Sequence, residues 1–418
     1  MNTQSNYIKS SSYEAKAGKV KKVILLYSGG LDTSVILKWI QDTYQTKVIT
    51  LTMDLGQQGD DLKAIQKKAL KFGALKAYVL DVKDEFANEY LAPLIKANGS
   101  YQGDYHISTV SRYLMAKWAV KIAQKEKADA IAHGCTGKGN DQVRIEASAL
   151  TLNPDIKIIA PVREWSMGRD EEMVYAKKHG IPVPVKKDFP YSVDDNMWGM
   201  TWESGEIEDP GLIPPVKKFL TTYTLPEDSA IEAQYIKVKF DKGIPVALNG
   251  KKMALSQLIM ALNKIGGQHG VGVVHHIEDR VVGLKVRGVY EMPGAHIIIT
   301  SHKNLEKYVC TRTENEIKAT LDIKWSYLVY GCQWYDPAVK ALNVFNDEIN
   351  KKVIGEVTIK LFKGMAEVVA LKSPYALYDH NLATFMKDHT FNQNASPGFV
   401  EIFSLQQKLA HQVAEKNK

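Results

Sequence analysis

The sequence is short of several things at once. It has three cysteines, Cys135, Cys310 and Cys332, far apart and without a Cys-x-x-Cys pair. That spacing excludes a disulfide framework, gives no zinc site and fits a reducing compartment, so a cytoplasmic protein is expected. No apolar run approaches the roughly 20 residues of a membrane-spanning helix, and the first residues lack the apolar segment of a secretory signal. Neither of the two commoner nucleotide signatures is present, the Gly-Lys-Ser/Thr of a P-loop or Gly-x-Gly-x-x-Gly. There is no long Lys/Arg block, and a formal net charge of +7 over 418 residues is modest. Nucleic acid and membrane are therefore not expected partners, whereas small anionic substrates suit the balance. No internal repeat is found. Residues 1–20, polar and rich in Ser and Lys, are expected to be a disordered extension.

What is present is a chain that is 45% hydrophobic, long enough for two or three domains. The stretch Val23-Ile24-Leu25-Leu26-Tyr27-Ser28-Gly29-Gly30-Leu31-Asp32-Thr33-Ser34 organises it. Four apolar residues read as a buried strand, Ser-Gly-Gly as a tight turn, and Val35, Ile36, Trp39 and Ile40 as the apolar face of a helix. Such a turn lies at the carboxyl end of its strand, where open α/β sheets bind ligands. Glycine lets backbone amides approach an anion, the hydroxyls of Ser28, Thr33 and Ser34 add donors, and the helix N-terminus adds its dipole. The string SGGLDTS has the pattern of a PP-loop, the pyrophosphate-binding loop of enzymes that adenylate a substrate and release PPi.

Further on, Lys47–Met53, Ala77–Val82, Ala128–Ala132 and Ile156–Ala160 read as strands alternating with helices, one of them capped by Asp60 or Asp61. The expected fold class is α/β: a doubly wound parallel sheet over 21–181, then a second α+β domain over 182–380 and a C-terminal oligomerisation segment over 381–418 that carries a helix. Residues 182–215 are Pro-rich and read as irregular. Gly355–Leu371 reads as a hairpin turning at Lys363-Gly364, and Ile402–Glu415 as a terminal helix.

A second polar loop, His133-Gly134-Cys135-Thr136-Gly137-Lys138-Gly139-Asn140-Asp141-Gln142-Val143-Arg144, falls at another strand-to-helix junction on the same sheet edge. Its glycines permit close backbone approach, Lys138 can face phosphate, and Arg144 can grip a carboxylate through its planar fork. SGGLDTS followed by HGxTGKGNDQVR resembles the argininosuccinate synthase family. Three later stretches agree: Tyr191-Ser192-Val193-Asp194-Asp195-Asn196, Gly266-Gly267-Gln268-His269-Gly270-Val271-Gly272, and Ile277-Glu278-Asp279-Arg280 running to Arg287-Gly288-Val289-Tyr290-Glu291-Met292-Pro293.

The resemblance implies ATP-dependent joining of citrulline and aspartate through citrullyl-AMP, with Mg²⁺ carried on the nucleotide. It implies ATP contacts from Leu26, Tyr27, Ser28, Gly29, Gly30, Leu31, Asp32, Thr33, Ser34, Met53 and Gly134. It implies aspartate contacts from Thr136, Asn140 and Asp141. The citrulline contacts it implies are Tyr105, Thr109, Asn140, Arg144, Ser192, Thr201, Glu278 and Tyr290, with Ser108 the alternative to Thr109. Asp32, Lys138 and Asp141 form the implied catalytic set, and a homotetramer is the implied assembly. Leu26 and Thr201 depart from the family's usual Ala and Ser.

Blander readings stand beside these. Ser192 is a helix cap and Asp194-Asp195 a solvated first helical turn. Glu278 is a surface carboxylate paired with Arg280, and Tyr105 and Tyr290 are packing aromatics. His133 lies near the reacting groups or serves the structure. His269 and the pair His275-His276 lack partners at metal spacing, so no protein-held metal is expected. Two other functions compete. One is a PP-loop enzyme that thiolates tRNA or amidates its substrate, against which stand the single cysteine near the loops and the want of a basic-aromatic stripe. The other is a non-catalytic nucleotide-binding scaffold, against which stand Asp32, Lys138, Asp141 and Arg144 together.

Overall fold

Val23 to Leu26 are apolar in succession, as a central strand covered on both faces requires. They lie in strand β1 (Lys22–Leu26) of a computed structural model that describes residues 13–59, 61–165, 167–182, 190–386 and 390–418. All four are buried; each is worth about 1.5–3 kcal/mol relative to an exposed side chain, which makes this strand the natural centre of the domain. β2 (Lys47–Asp54), β3 (Lys76–Asp81), β4 (Ala130–Ala132) and β5 (Lys157–Ile159) join it in an all-parallel sheet of order β3-β2-β1-β4-β5.

The connections are α1 (Leu31–Tyr44), α2 (Leu62–Lys71), and a run of α3 (Lys83–Glu85), a π-helical turn Phe86–Leu91 and α4 (Ala92–Lys96). α5 (Ser111–Glu126), α6 (Asp141–Leu152), α7 (Pro161–Glu164) and α8 (Arg169–Lys178) complete the layer. Asp61 caps α2, accepting from the Ala64 amide at 2.9 Å; Asp60 lies outside the described residues. The strand order reverses about β1, and the loops after β1 and β4 leave the sheet side by side at its carboxyl edge, the switch point where such sheets bind ligands.

The second region holds β6 (Ser192–Asn196), β7 (Gly199–Glu203), β8 (Gln234–Asp241), β9 (Ile244–Leu248), β10 (Lys251–Lys252), α9 (Leu255–Gln268), β11 (Val273–Asp279) and β12 (Lys285–Glu291). α10 (Pro293–Val309), α11 (Arg312–Tyr330), α12 (Pro337–Asn350), β13 (Gly355–Phe362) and β14 (Met365–Lys372) follow. The strands make two antiparallel sheets, β11-β12-β7-β6 and β10-β9-β8-β13-β14. The chain divides into compact units Met1–Pro374 and Tyr375–Lys418. The second unit contains α13 (His380–Ala383) and α14 (Ser396–Lys416), longer than the helix expected from Ile402 to Glu415.

Three expectations are corrected. Val193-Asp194-Asp195 is strand, not a first helical turn, and Ser192 begins that strand instead of capping a helix. The hairpin β6–β7, closed at Asn196–Gly199, occupies part of the stretch read as irregular; residues 183–189 of that stretch lie outside the described residues. Within 1–20, residues 1–12 also lie outside them, but Tyr13 and Ala15 pair with Ile158 at 3.0 and 2.9 Å, and Val20 is buried. Two alternating backbone bonds to β5 are enough to order that segment despite its polar composition.

Candidate active site

Ser28–Gly30 makes the turn between β1 and α1. Gly29 has φ +80°, and a Cβ there would stand 2.7 Å from the Ile65 side chain. Only glycine meets both conditions. Lys68, from α2, donates to the Gly29 carbonyl at 2.7 Å, and the Ser28 and Thr33 hydroxyls lie 3.1 Å apart at the exposed mouth. The first-turn amides of α1 are those a helix leaves without intrahelical acceptors. Not every hydroxyl expected here faces outward. The Ser34 hydroxyl donates to the Gly30 carbonyl at 2.6 Å and lies 3.0 Å from the Tyr27 hydroxyl, so both are engaged inside the fold. Leu31 is buried and Asp32 exposed in the first helical turn. Met53 is buried near the end of β2, its carbonyl accepting from Gln57 at 3.0 Å. Gly134 packs beside this loop: a Cβ on it would meet Ile36 at 2.9 Å.

A cavity of about 330 Å³ lies beyond the second loop. The antiparallel register builds one wall. β11-β12-β7-β6 sets Tyr290 opposite Thr201 and Thr201 opposite Asp194. Residues two apart share a face, so Ser192, Glu203 and Glu278 join them. Gly288 leaves room for the Tyr290 ring, whose hydroxyl stands 2.8 Å from where a Cβ would be. The opposite wall comes from Tyr105, Thr109 and Arg112 before and within α5, from Cys135, Thr136, Gly139, Asn140, Asp141 and Arg144, and from Tyr330 at the end of α11. All eight residues expected to contact citrulline line this one cavity, as do Thr136 and Asp141. Thr109 lines it, whereas Ser108 is buried and bonded to the Tyr105 hydroxyl at 2.9 Å. The phosphate-loop residues, Met53, Gly134 and Lys138 are not in its lining. Lys138 is exposed, and its carbonyl accepts from Arg280 at 3.4 Å.

The cavity is a charge lattice. Asp141 takes Arg112 Nε at 2.8 Å on one oxygen and Arg144 Nη1 at 2.7 Å on the other. Burial pushes the Asp141 carboxyl up, and the two guanidiniums together outweigh it and hold it below its ordinary value. Arg112 also pairs with Asp194, whose carboxyl burial raises. Arg280 bridges Glu203 at 2.7 Å and Glu278 at 2.9 Å. The Glu278–Arg280 pair is real but buried, not a surface contact: Glu278 is 6% exposed. Burial pushes the Tyr105 hydroxyl up to about 12, with Arg144 opposing, so it serves as a hydrogen-bonding phenol.

Arg144 does not present a free two-pronged fork. Its Nη1 meets Asp141 and its Nη2 donates to the Tyr330 carbonyl at 3.0 Å, while its buried Nε has no hydrogen-bond partner among the described residues. Thr201 Oγ1 is likewise buried and unpartnered. His133 is buried, meets Glu146 at 2.9 Å and accepts from the Cys135 amide at 3.2 Å, and it is not in the cavity lining. No set of three His, Cys, Asp or Glu side chains is placed to hold a metal among the described residues.

Sequence reasoning missed Arg112, Glu203 and Tyr330, and read Asp194 as solvated. Asp194 and Glu203 had a signal. Reading SVDDN and GMTWE as two strands of a hairpin puts Ser192, Asp194, Thr201 and Glu203 on one face. Arg112 had one too, standing three residues after Thr109, whereas Tyr330 had none, because it reaches the cavity from a helix far away in the chain.

A parallel sheet with a Ser-Gly-Gly turn at its switch point is the frame of a HUP-type nucleotide-binding domain, here joined to an antiparallel region that walls a polar cavity. Residues 22–182 match the family model described as the arginosuccinate synthase N-terminal HUP domain, and residues 191–410 match that of the C-terminal domain. The chain is 50% identical over 391 residues to argininosuccinate synthase of Pyrococcus furiosus, covering 93% of this chain and 94% of that protein. It is 48% identical over 398 residues to that of Geobacillus thermodenitrificans, covering 95% and 97%. The chain belongs to the argininosuccinate synthase family. A solved 4-thiouridine synthetase–RNA complex with bound ATP matches 40% of this chain and 43% of that one at 18% identity, with a TM-score of 0.30, too slight a likeness to argue from.

Proposed function

We propose that the chain joins citrulline to aspartate at the expense of ATP, forming argininosuccinate, AMP and PPi. The observation that carries this is the cavity itself, which gathers all eight expected citrulline positions and borders the second loop. In the first step the ureido oxygen of citrulline attacks the α-phosphorus. A P–O bond forms, the α–β anhydride bond breaks, and PPi leaves. In the second, the aspartate amine attacks the ureido carbon, loses a proton, and AMP departs with the ureido oxygen. The protein supplies positioning and charge. The turn at Ser28–Gly30 and the first turn of α1 hold the phosphates. Arg144, Glu278 and the hydroxyls of Thr109, Ser192 and Thr201 bind citrulline, whose zwitterionic end suits a lining of mixed charge. Thr136, Asn140 and Asp141 receive aspartate, the ionised Asp141 carboxylate lending negative charge near its ammonium group.

Mg²⁺ belongs with the nucleotide in this reading. Asp141 fits a metal poorly, both its oxygens being engaged by arginine; Asp32, exposed beside the phosphate turn, is the carboxylate that fits a nucleotide-borne ion. The protein works in the cytoplasm as a homotetramer. Supporting that assembly, α14 exposes Phe399, Ile402, Phe403, Leu409 and Val413; sedimentation of the full chain measures it. No helix among the described residues is long and apolar enough to cross a membrane.

Citrulline labelled with ¹⁸O at the ureido oxygen tests the chemistry. PPi release should require citrulline and ignore added tRNA, and the label should appear in AMP in proportion to product. Unlabelled AMP, or PPi release that depends on tRNA, would sink the reading.

A further inference from the structure

Tyr330 ends α11, and no motif draws attention to it. It nevertheless touches three cavity residues in three ways. Its hydroxyl accepts from Asn140 Nδ2 at 2.9 Å and donates to Glu278 Oε2 at 2.9 Å. Its carbonyl accepts from Arg144 Nη2 at 3.0 Å, and its ring centre lies 4.9 Å from the Arg144 guanidinium carbon. The ring is itself held, stacked on Tyr101 at 3.5 Å with 4° between planes, and the Tyr101 hydroxyl donates to the Asp279 carbonyl at 2.8 Å.

We propose that Tyr330 is a positioning residue for the ligation, setting the Asn140 amide, the Glu278 carboxylate and the Arg144 guanidinium in one arrangement so that the two amino-acid subsites act as a unit. This rests on the function proposed above. Hydrogen-bond directions carry the argument. Asn140 Oδ1 accepts from the Val281 amide at 2.9 Å, so its Nδ2 must face Tyr330, and the amide cannot flip. One Nδ2 hydrogen remains for a ligand. Glu278 is pinned at both oxygens, Oε1 by Arg280 at 2.9 Å and Oε2 by the phenol. The Tyr330 hydroxyl therefore has one acceptor and one donor role, both fixed. It is the only atom among the described residues bonded both to Asn140, from the second loop, and to Glu278, from the antiparallel sheet. Its hydrogen bonds and ring contacts among the described residues go to Asn140, Glu278, Arg144, Cys332, Tyr101 and Tyr105, none of them in the phosphate turn, so the effect falls on the amino-acid substrates and not on ATP.

Tyr330→Phe removes the hydroxyl and keeps the ring stack and the carbonyl bond. The KM values for citrulline and aspartate should each rise at least about tenfold, with that for ATP within about twofold, the pattern of lost ground-state binding. Thermal unfolding shows whether the variant folds. A double-mutant cycle with Glu278→Gln adds a readout that a purely structural role would not move: the Tyr330→Phe effect on citrulline should shrink in the Glu278→Gln background, because the bond it removes is already weakened. A wild type that makes argininosuccinate, with a Tyr330→Phe variant whose KM values are unchanged or shift equally for all three substrates, overturns the positioning role alone. Absence of product from the wild type overturns both this role and the function on which it rests.

Discussion

The cavity and the cluster around Lys318 are both made of charge taken out of water, and they are completed differently. Lys318 is 1% exposed, with its ammonium 3.0 Å from Glu306 and 2.7 Å from Asp322. Asn98 donates to the same two carboxylates at 3.1 and 2.8 Å, and its carbonyl oxygen lies 2.7 Å from His302, which meets Asn350 at 2.7 Å on its other side. These contacts tie α10, α11, α12 and the turn after α4 together around a buried cation. The cavity has the same ingredients, arginines against carboxylates, but buried donors at Arg144 Nε and Thr201 Oγ1 are left open. Buried polar groups are normally paired. Buried atoms without a hydrogen-bond partner also occur elsewhere among the described residues, Glu306 Oε2 beside Lys318 included, so it is their place on the cavity wall that makes Arg144 Nε and Thr201 Oγ1 candidates for meeting a ligand, whereas the Lys318 cluster ties helices together.

Three substitutions break or sharpen this contrast. The largest effect is expected for Lys318→Met, which leaves Glu306 and Asp322 without their cation. Removing one partner of a buried ion pair costs about 3–5 kcal/mol, so denaturant unfolding should show a large loss of stability while the KM values of the folded fraction stay as in the wild type. A raised KM for citrulline would mean that the cluster is not separate from the site. Next comes Arg144→Lys, which keeps the charge but loses the planar fork. The KM for citrulline should rise at least tenfold, about 1.4 kcal/mol, with ATP little affected. A stability loss matching that of Lys318→Met would make Arg144 structural. The smallest is Thr201→Val, of nearly the same shape. With no protein partner to lose, the fold should be as stable as before or slightly more so, while citrulline binding weakens by roughly 1 kcal/mol, the worth of one hydrogen bond. A clear drop in stability would show that the open hydroxyl had a structural partner.

The parallel sheet was legible because its signals are local. Val23–Leu26 is apolar throughout, Gly29 and Gly30 follow at once, and the helix after them shows its period. The hairpin at Ser192–Glu203 was less legible, since Asp194-Asp195 looks like the acidic first turn of a helix. Pairing of Asp194 and Asp195 with Thr201 and Met200 of β7, itself held by β12, overrides that local preference. The Ser34 hydroxyl looked like a ligand donor, and only its bonds to the Gly30 carbonyl and the Tyr27 hydroxyl show it turned inward.

By itself the sequence determined the sheet, the place of the phosphate turn, and which loop lies beside it, because strand, turn and helix signals are written within a dozen residues of one another. Through its resemblance to a family it also pointed to many of the residues that line the cavity, though not to Arg112, Glu203 or Tyr330. Tertiary structure alone decided how those residues are used. Whether Asp141 is free or held between Arg112 and Arg144, and whether Arg144 offers its fork or only its Nε, depends on partners brought in by other helices. The same holds for Tyr330, which is 190 residues from Asn140 and 52 from Glu278 along the chain. Periodicity and turn chemistry reach only as far as the next element; hydrogen bonds between elements exist only once the sheets and helices have packed.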